Sequence, residues 1–201
     1  MKTEKHIKKF DKQVDVYVRM RNNDKFAKYR RKLFHEARGD VLEVGVGTGL
    51  NFPYYNAVEK LTAVDFSEPM IAEAKKEAGR YPFPAEFICS DAEVMEFEEN
   101  SFDTIVSSLS FCSYENPVEL LNKFNTWCRK EGQILLLEHG LVKFKFLQML
   151  QQAVDPLTMR MIGCHQNRDI EKLASSSNLE MIKVQRHVAG AIYIIKAKPV
   201  K

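Results

Sequence analysis

Three clusters, each closing an apolar run, carry residue types that could act together on one ligand. The first is Val41-Leu42-Glu43-Val44-Gly45-Val46-Gly47-Thr48-Gly49, a G-x-G-x-G turn. Glycines let a backbone approach a ligand closely and take dihedrals barred to side chains. The turn lacks the third glycine of a dinucleotide fingerprint, and no Lys-Ser/Thr follows it to hold phosphates. The second cluster is Asp65 with Phe66, Asp65 lying 16 residues beyond Gly49. A carboxylate there can accept hydrogen bonds from both hydroxyls of a ribose. The other role open to Asp65, capping the next helix, already suits Ser67. The third is Asp91-Ala92-Glu93. Its acid can accept from an exocyclic amine while the following amide satisfies a ring nitrogen, or the segment is a polar surface turn.

Elements must hold these clusters at one edge. Strand-like runs cover residues 41–44, 61–65, 85–89, 102–108 and 133–138, and helix-like ones alternate with them. A basic helix is expected over 24–36, with others over 50–58, 67–80, 116–128 and 169–177. Asn125 is the polar exception on the apolar face of the fourth. Residues 179–186 and 191–197 read as an antiparallel pair around Ala189-Gly190. This alternation predicts an α/β doubly wound sheet with the ligand beyond the carboxyl ends of its strands. Residues 141–168 are too long for a plain connection and carry helical apolar spacing at Phe144, Leu147, Leu150 and Val154, so a helical lid is expected there.

With its glycine turn, Asp65 and Asp91 in succession, the chain resembles the class I S-adenosylmethionine-dependent methyltransferases over residues 40–198. The resemblance implies a Rossmann-like seven-stranded sheet in order 3-2-1-4-5-7-6, strand 7 antiparallel, with S-adenosyl-L-methionine as cofactor. It makes residues 1–201 one methyltransferase domain, with a basic N-terminal helical segment (1–38) and the lid (141–168). Leu109 to Asn116, Leu137-Glu138-His139, Asp155-Pro156, Gly163-Cys164 and Arg168 are similar to the methyltransferase-like-seven group, which implies methylation of thiols. The similarity to quinone-biosynthesis and phospholipid methyltransferases is looser. The hydrophobic N-terminal anchor of the first group is not in this sequence.

Methyl transfer from a sulfonium is an in-line displacement, so the protein mainly aligns donor and acceptor. Gly45, Gly47, Gly49, Asp65, Phe66, Asp91, Ala92 and Ser108 are the expected cofactor contacts, and Glu43 is expected near the cofactor's amino-acid end, meeting its ammonium through water. Phe111 and Tyr114, after the fourth strand, are expected to face the acceptor, with core packing the other reading of Phe111. A thiol acceptor needs little help to ionise, whereas an amine or phenol needs more. His139 is the best-placed proton acceptor, or else a structural histidine bonded to the lid backbone. His165 and Arg168 are lid candidates for acceptor contact. The apolar lid, rich in Met149, Met159 and Met161, suits a lipophilic acceptor or simply closes the core.

Composition narrows the setting. Residues 1–38 hold thirteen Lys/Arg against five Asp/Glu, a net +8, and the remainder carries −5. Such asymmetry suits either a solvated helical face or an anionic partner, such as RNA or a lipid surface. No amine-methylation Asn/Asp-Pro-Pro-Tyr/Phe signature occurs, so an RNA substrate ranks below a small molecule, and nucleic acid is not an expected partner. A cofactor-binding protein without turnover is the third reading. Cys89, Cys112, Cys128 and Cys164 show no zinc spacing, so no metal is expected and a reduced, cytoplasmic location is, with peripheral membrane contact allowed. No apolar run approaches a membrane span.

Overall fold

A computed structural model describes residues 2–201. Seven strands, β1 (Arg38–Val44), β2 (Ala57–Asp65), β3 (Ala85–Cys89), β4 (Phe102–Ser108), β5 (Cys128–His139), β6 (Leu179–His187) and β7 (Ile192–Pro199), form one sheet. Its order is β3-β2-β1-β4-β5-β7-β6. The β1–β2, β1–β4, β2–β3 and β4–β5 pairs are parallel, whereas β7 runs antiparallel to β5 and β6. This is the order and the antiparallel strand that the sequence resemblance implies.

The sheet is covered on both faces because its central strands are apolar at consecutive positions, and consecutive side chains point to opposite faces. Leu42, Ile134 and Leu136 enter one core, packed by Leu120, Leu121, Phe124 and Trp127 of α5 (Pro117–Trp127) and by Ile170 and Ala174 of α7 (Ile170–Ser175). Val41, Leu135 and Leu137 enter the other, under Tyr29, Leu33 and Phe34 of α3 (Ala27–Phe34) and Ile71, Ala74 and Ala78 of α4 (Glu68–Ala78). Local signals start the helices: Ser67 accepts from the Met70 amide at α4, and Asp169 from Lys172 at α7. Asn125, polar on α5, exchanges two hydrogen bonds with the backbone of Val200 and so ties down the chain after β7.

The helix expected over 50–58 is reduced to a 3₁₀ turn at Phe52–Tyr54, and β2 begins at Ala57. Tertiary bonds win over local propensity here. Asn51 and Tyr55 both donate to the buried Glu43, and Phe52 is driven under Gly49 into a cluster of aromatic rings with Tyr55 and Phe83. The basic helix expected over 24–36 is also shorter, since Asp24 caps its approach through the Phe26 amide.

Two further helices, α1 (Glu4–Asp11) and α2 (Val14–Met20), cross the carboxyl ends of the strands, and α6 (Lys145–Ile162) lies in the expected lid segment. Lys9 of α1 donates to the Met159 carbonyl and Gln13 to that of Ile162, which joins the N-terminal helices to α6. Arg21, after α2, donates to the carbonyls of Thr48 and Glu73 and so pins α2 over the glycine turn.

Candidate active site

At the tip of β1 the chain turns through Gly45, Gly47 and Gly49, all at positive φ. A Cβ on Gly45 would lie 2.6 Å from the Ser110 Cβ, so only glycine lets the two loops touch. Gly47 differs: the nearest atom to its would-be Cβ is the Tyr17 ring at 4.0 Å. The space above it is open to a ligand. Asp65, at the tip of β2, accepts from the Gly47 amide with one oxygen (2.9 Å) and from the Ser67 amide with the other (2.9 Å). Burial pushes its carboxyl up to about 6.

Two adjoining cavities share the walls Tyr17, Gly45, Gly47, Ser108 and Leu109. The smaller, about 50 Å³, lies between Asp65, Phe66 and Tyr114 and is closed by Phe10 of α1. The Phe10 and Phe66 rings meet edge-to-face at 5.1 Å. Beside it, Asp91 accepts from the Lys2 amide at 2.7 Å and from the Glu93 amide at 3.1 Å. The Lys2 ammonium bonds Glu93 and the Ser113 carbonyl and sits over the Tyr114 ring. The N-terminal segment therefore covers the position where the sequence places a base. A cavity this small holds a few waters but no bicyclic ring.

The larger cavity, about 430 Å³, lies beneath α2 and α6. One wall is polar. Arg30, 3% exposed, donates to Asp24, Asn51 and Ser108. Asn51 passes a bond to Glu43 (2.7 Å), which also accepts from Tyr55 (2.6 Å). Burial raises Glu43 to about 7 against the pull of these two bonds. Glu43 itself does not line the cavity; Arg30 and Asn51 do. Glu43 stands behind the turn, one oxygen accepting from Asn51 and the other from Tyr55, and reaches the cavity through Asn51.

The opposite wall carries His139, at the tip of β5, with Cys112 and Cys164. The Cys112 and Cys164 sulfurs lie 2.9 Å apart, and the nearby His139 helps to lower the Cys164 thiol. Next to His139, Glu138 is fully buried, accepts from Ser107 (2.8 Å) and the Phe111 amide (3.1 Å), and is raised by burial to about 7. It holds the loop after β4, where Leu109 takes φ 54, a costly conformation for a bulky residue. Leu109 is thereby turned into both cavities.

Several expected contacts fall elsewhere. Phe111 is fully buried in the core with Phe124, since its amide is drawn down to Glu138. Tyr114 faces the smaller cavity, not the larger. Arg168 donates to the carbonyls of Phe111 and Tyr114 and braces their loop from behind. His165 pairs with Asp155 at 2.7 Å, and its amide bonds the Cys112 carbonyl. Neither lines a cavity; Gln151 and Gln166 stand there instead. Ala92 is buried in the core below Asp91. Arg30, Asn51 and Tyr17 escaped the sequence reading. Only the thirteen cations of the first 38 residues hinted at Arg30, and nothing separated it from the other twelve. Among the described residues no group of three or more His, Cys, Asp or Glu could hold a metal ion.

Comparison with known proteins agrees with this geometry. A methyltransferase domain model matches residues 42–136. The phosphatidylethanolamine N-methyltransferase of Cereibacter sphaeroides is 30% identical over 169 residues, 82% of each chain. The yeast mitochondrial methyltransferase OMS1 is 31% identical over 92% of this chain, which spans only 43% of its length. Human thiol S-methyltransferase TMT1B is 24% identical over 83% of this chain and 73% of its own. A Haloferax volcanii methyltransferase solved with its Trm112 activator superposes with a TM-score of 0.77 at 12% identity, covering 96% of this chain and 97% of that one. With its seven-stranded sheet, glycine turn and acid-tipped β2, this chain belongs to the S-adenosylmethionine-dependent methyltransferases.

Proposed function

We propose that the enzyme methylates a small, lipophilic acceptor, with a thiol favoured over an amine or phenol. The observation that carries this is the cavity of about 430 Å³ whose walls include Val16, Met20, Phe26 and Ile162, with His139 and Cys164 on one side. Such a cavity takes an apolar molecule with a single reactive group. The similarity to thiol S- and phosphatidylethanolamine N-methyltransferases supports two of these acceptor types, the thiol and the amine.

S-adenosylmethionine, when bound, supplies an electrophilic methyl group on a sulfonium. The open space above Gly47 and the carboxylate of Asp65 beside it fit its ribose end. Asp65 would accept from the ribose hydroxyls on the remaining lone pairs of its two oxygens while keeping the Gly47 and Ser67 amides, and Phe66, Asp91 and the Ala92 amide would recognise the base in place of the Lys2 and Phe10 cover. Gly45, Gly49 and Ser108 hold the turn, and the Arg30 guanidinium offers a partner to the amino-acid carboxylate. His139 takes the proton from the acceptor, and the apolar walls exclude water from the line of transfer. Phe26 and Ile162 orient the acceptor's apolar body.

Incubation with methyl-labelled cofactor and a panel of aliphatic thiols, amines and phenols tests this. Labelled thioether is the expected product. A panel that stays unlabelled while calorimetry records tight cofactor binding favours a protein without turnover. The RNA reading predicts salt-dependent RNA binding. Against it, Lys2, Lys9, Arg21 and Arg30 already serve internal bonds.

One observation favours contact with a lipid surface. The outer face of α6 exposes Phe146 (70%), Met149 (66%), Leu157 (57%) and Met161 (68%), and the basic α1 packs against its end. An apolar helix flanked by cations suits the headgroup region of an anionic bilayer. Co-sedimentation with phosphatidylglycerol vesicles, lost in Phe146→Ser/Met161→Ser, is the expected result. No helix among the described residues is long and apolar enough to cross a membrane.

A further inference from the structure

Cys112 and Cys164 come from separate elements and meet at the cavity wall. Cys112 lies on the loop after β4, and its carbonyl accepts from the His165 amide at 3.0 Å. Cys164 follows Gly163, whose left-handed backbone (φ 82) ends α6 and turns the chain back toward that loop. The two sulfurs are 2.9 Å apart, with Cys112 the donor, and His139 lines the same cavity. Closing to the ~2.05 Å of a covalent bond takes roughly 1 Å of movement. Both thiols line the larger cavity, so a small oxidant reaches them through it.

We propose that Cys112 and Cys164 are a redox-active dithiol that closes reversibly to a disulfide, locking the end of α6 onto the loop after β4 and so holding the lid over the acceptor cavity. The bond itself needs nothing from the functional reading above; its effect on methyl transfer rests on it. Cys164 is the attacking sulfur. The thiol of Cys112 and the His139 ring both stabilise its thiolate and hold it well below the ordinary thiol range, while Cys112 is pushed up as the protonated partner. With hydrogen peroxide as oxidant, the Cys164 thiolate attacks one oxygen, the O–O bond breaks, and a sulfenic acid forms as hydroxide leaves and takes up a proton to become water. The Cys112 sulfur then attacks that sulfur, the S–S bond forms, and the hydroxyl departs with the Cys112 proton as a second water. Two thiols and one peroxide thus give one disulfide and two waters. Excess dithiol reductant reverses the step.

Treatment of the purified full chain with one equivalent of peroxide, followed by alkylation and mass spectrometry, tests the pair. The expected result is a loss of 2 Da, two of the four thiols protected, and a linked peptide joining Cys112 to Cys164, all reversed by dithiothreitol. Cys89→Ser is expected to keep this pattern and Cys164→Ser to abolish it. The loop closed by the bond spans 52 positions, so the melting temperature is expected to rise by several degrees on oxidation. Four alkylatable thiols after treatment, or sulfinic acid on the exposed Cys89 with Cys112 and Cys164 still free, would overturn the assignment. In the labelled-methyl assay the oxidised protein is expected to lose at least tenfold in transfer and regain it with dithiothreitol. A disulfide that forms without changing transfer overturns the gating. A reduced enzyme that methylates nothing sinks the functional reading and leaves the mass result standing.

Discussion

The two ends of the site are built differently. At the strand-tip end, β1, β2 and β3 are neighbours in the sheet, and backbone hydrogen bonds tie their tips: the Gly45 and Val46 amides donate to the Val64 carbonyl, and the Ser90 amide to that of Asp65. At the acceptor end the wall is assembled from α2, α3, the turn after β1, the tips of β4 and β5, and α6 with the segment after it. It is held by side chains: Arg30 to Ser108, Glu138 to Ser107, Arg168 to the Phe111 carbonyl. Backbone-built sites depend on strand order and tolerate change around them. Side-chain-built sites depend on a few buried polar groups, each expensive to leave unpaired. The strand-tip end is thus fixed by the sheet itself, and the cavity wall beside it by a few buried polar side chains.

That contrast can be broken most sharply at Asp65. Asp65→Ala removes both acceptor oxygens at a buried position, and calorimetry is expected to show about a hundredfold weaker cofactor binding, since charge-assisted bonds are worth about 1.5–3 kcal/mol each. An unchanged affinity would mean that the strand tips do not grip the nucleoside.

Next in size is the acid behind the acceptor loop. Burial lifts Glu138 from 4.5 to about 7. Between those values the folded chain keeps a proton that the unfolded chain has released, so stability falls as pH rises from about 4.5 to about 7. Glu43 behaves alike on the other side of the turn. In Glu138→Gln, urea melts across that range are expected to show a flatter pH profile by about 2 kcal/mol. An unaltered slope would remove Glu138 from the buried scaffold.

His139→Ala separates the two acceptor chemistries. A general base contributes most where the acceptor ionises poorly. Transfer to amines or phenols is expected to drop by about a hundredfold, with thiols losing about tenfold at neutral pH and recovering as pH approaches the thiol range. Equal loss for all acceptors at every pH would assign His139 to structure instead.

The smallest effect lies at the α1 cover. Phe10→Ala removes the ring that meets Phe66, and stopped-flow fluorescence is expected to show cofactor entering and leaving a few-fold faster. Unchanged rates would place the slow step outside α1.

How much of this was legible without coordinates follows the same division. The glycine turn and Asp65 are local, encoded by short apolar runs with turn residues between them, and the seven-stranded order came with the family these motifs resemble. The absent helix at 50–58 was not legible, because the pull of Glu43 on Asn51 and Tyr55 acts across the core. Phe111 reads as a pocket residue from its place after β4, yet the Glu138 carboxylate draws its amide inward and buries the ring. His165 and Arg168 read as free polar groups, but a carboxylate and two carbonyls claim them.

From the chain of letters alone came the strand succession, the glycines and acids at the strand tips and the family they resemble, since these depend on spacing along the backbone and on which residues turns demand. Only the folded molecule decided which polar groups face the cavity and which brace it, that Lys2 and Phe10 lie over the base position, and that Cys112 meets Cys164. Those pairings span 52 to 111 positions of the chain, and they arise because burial forces each polar group to find whatever partner the packed elements bring within reach.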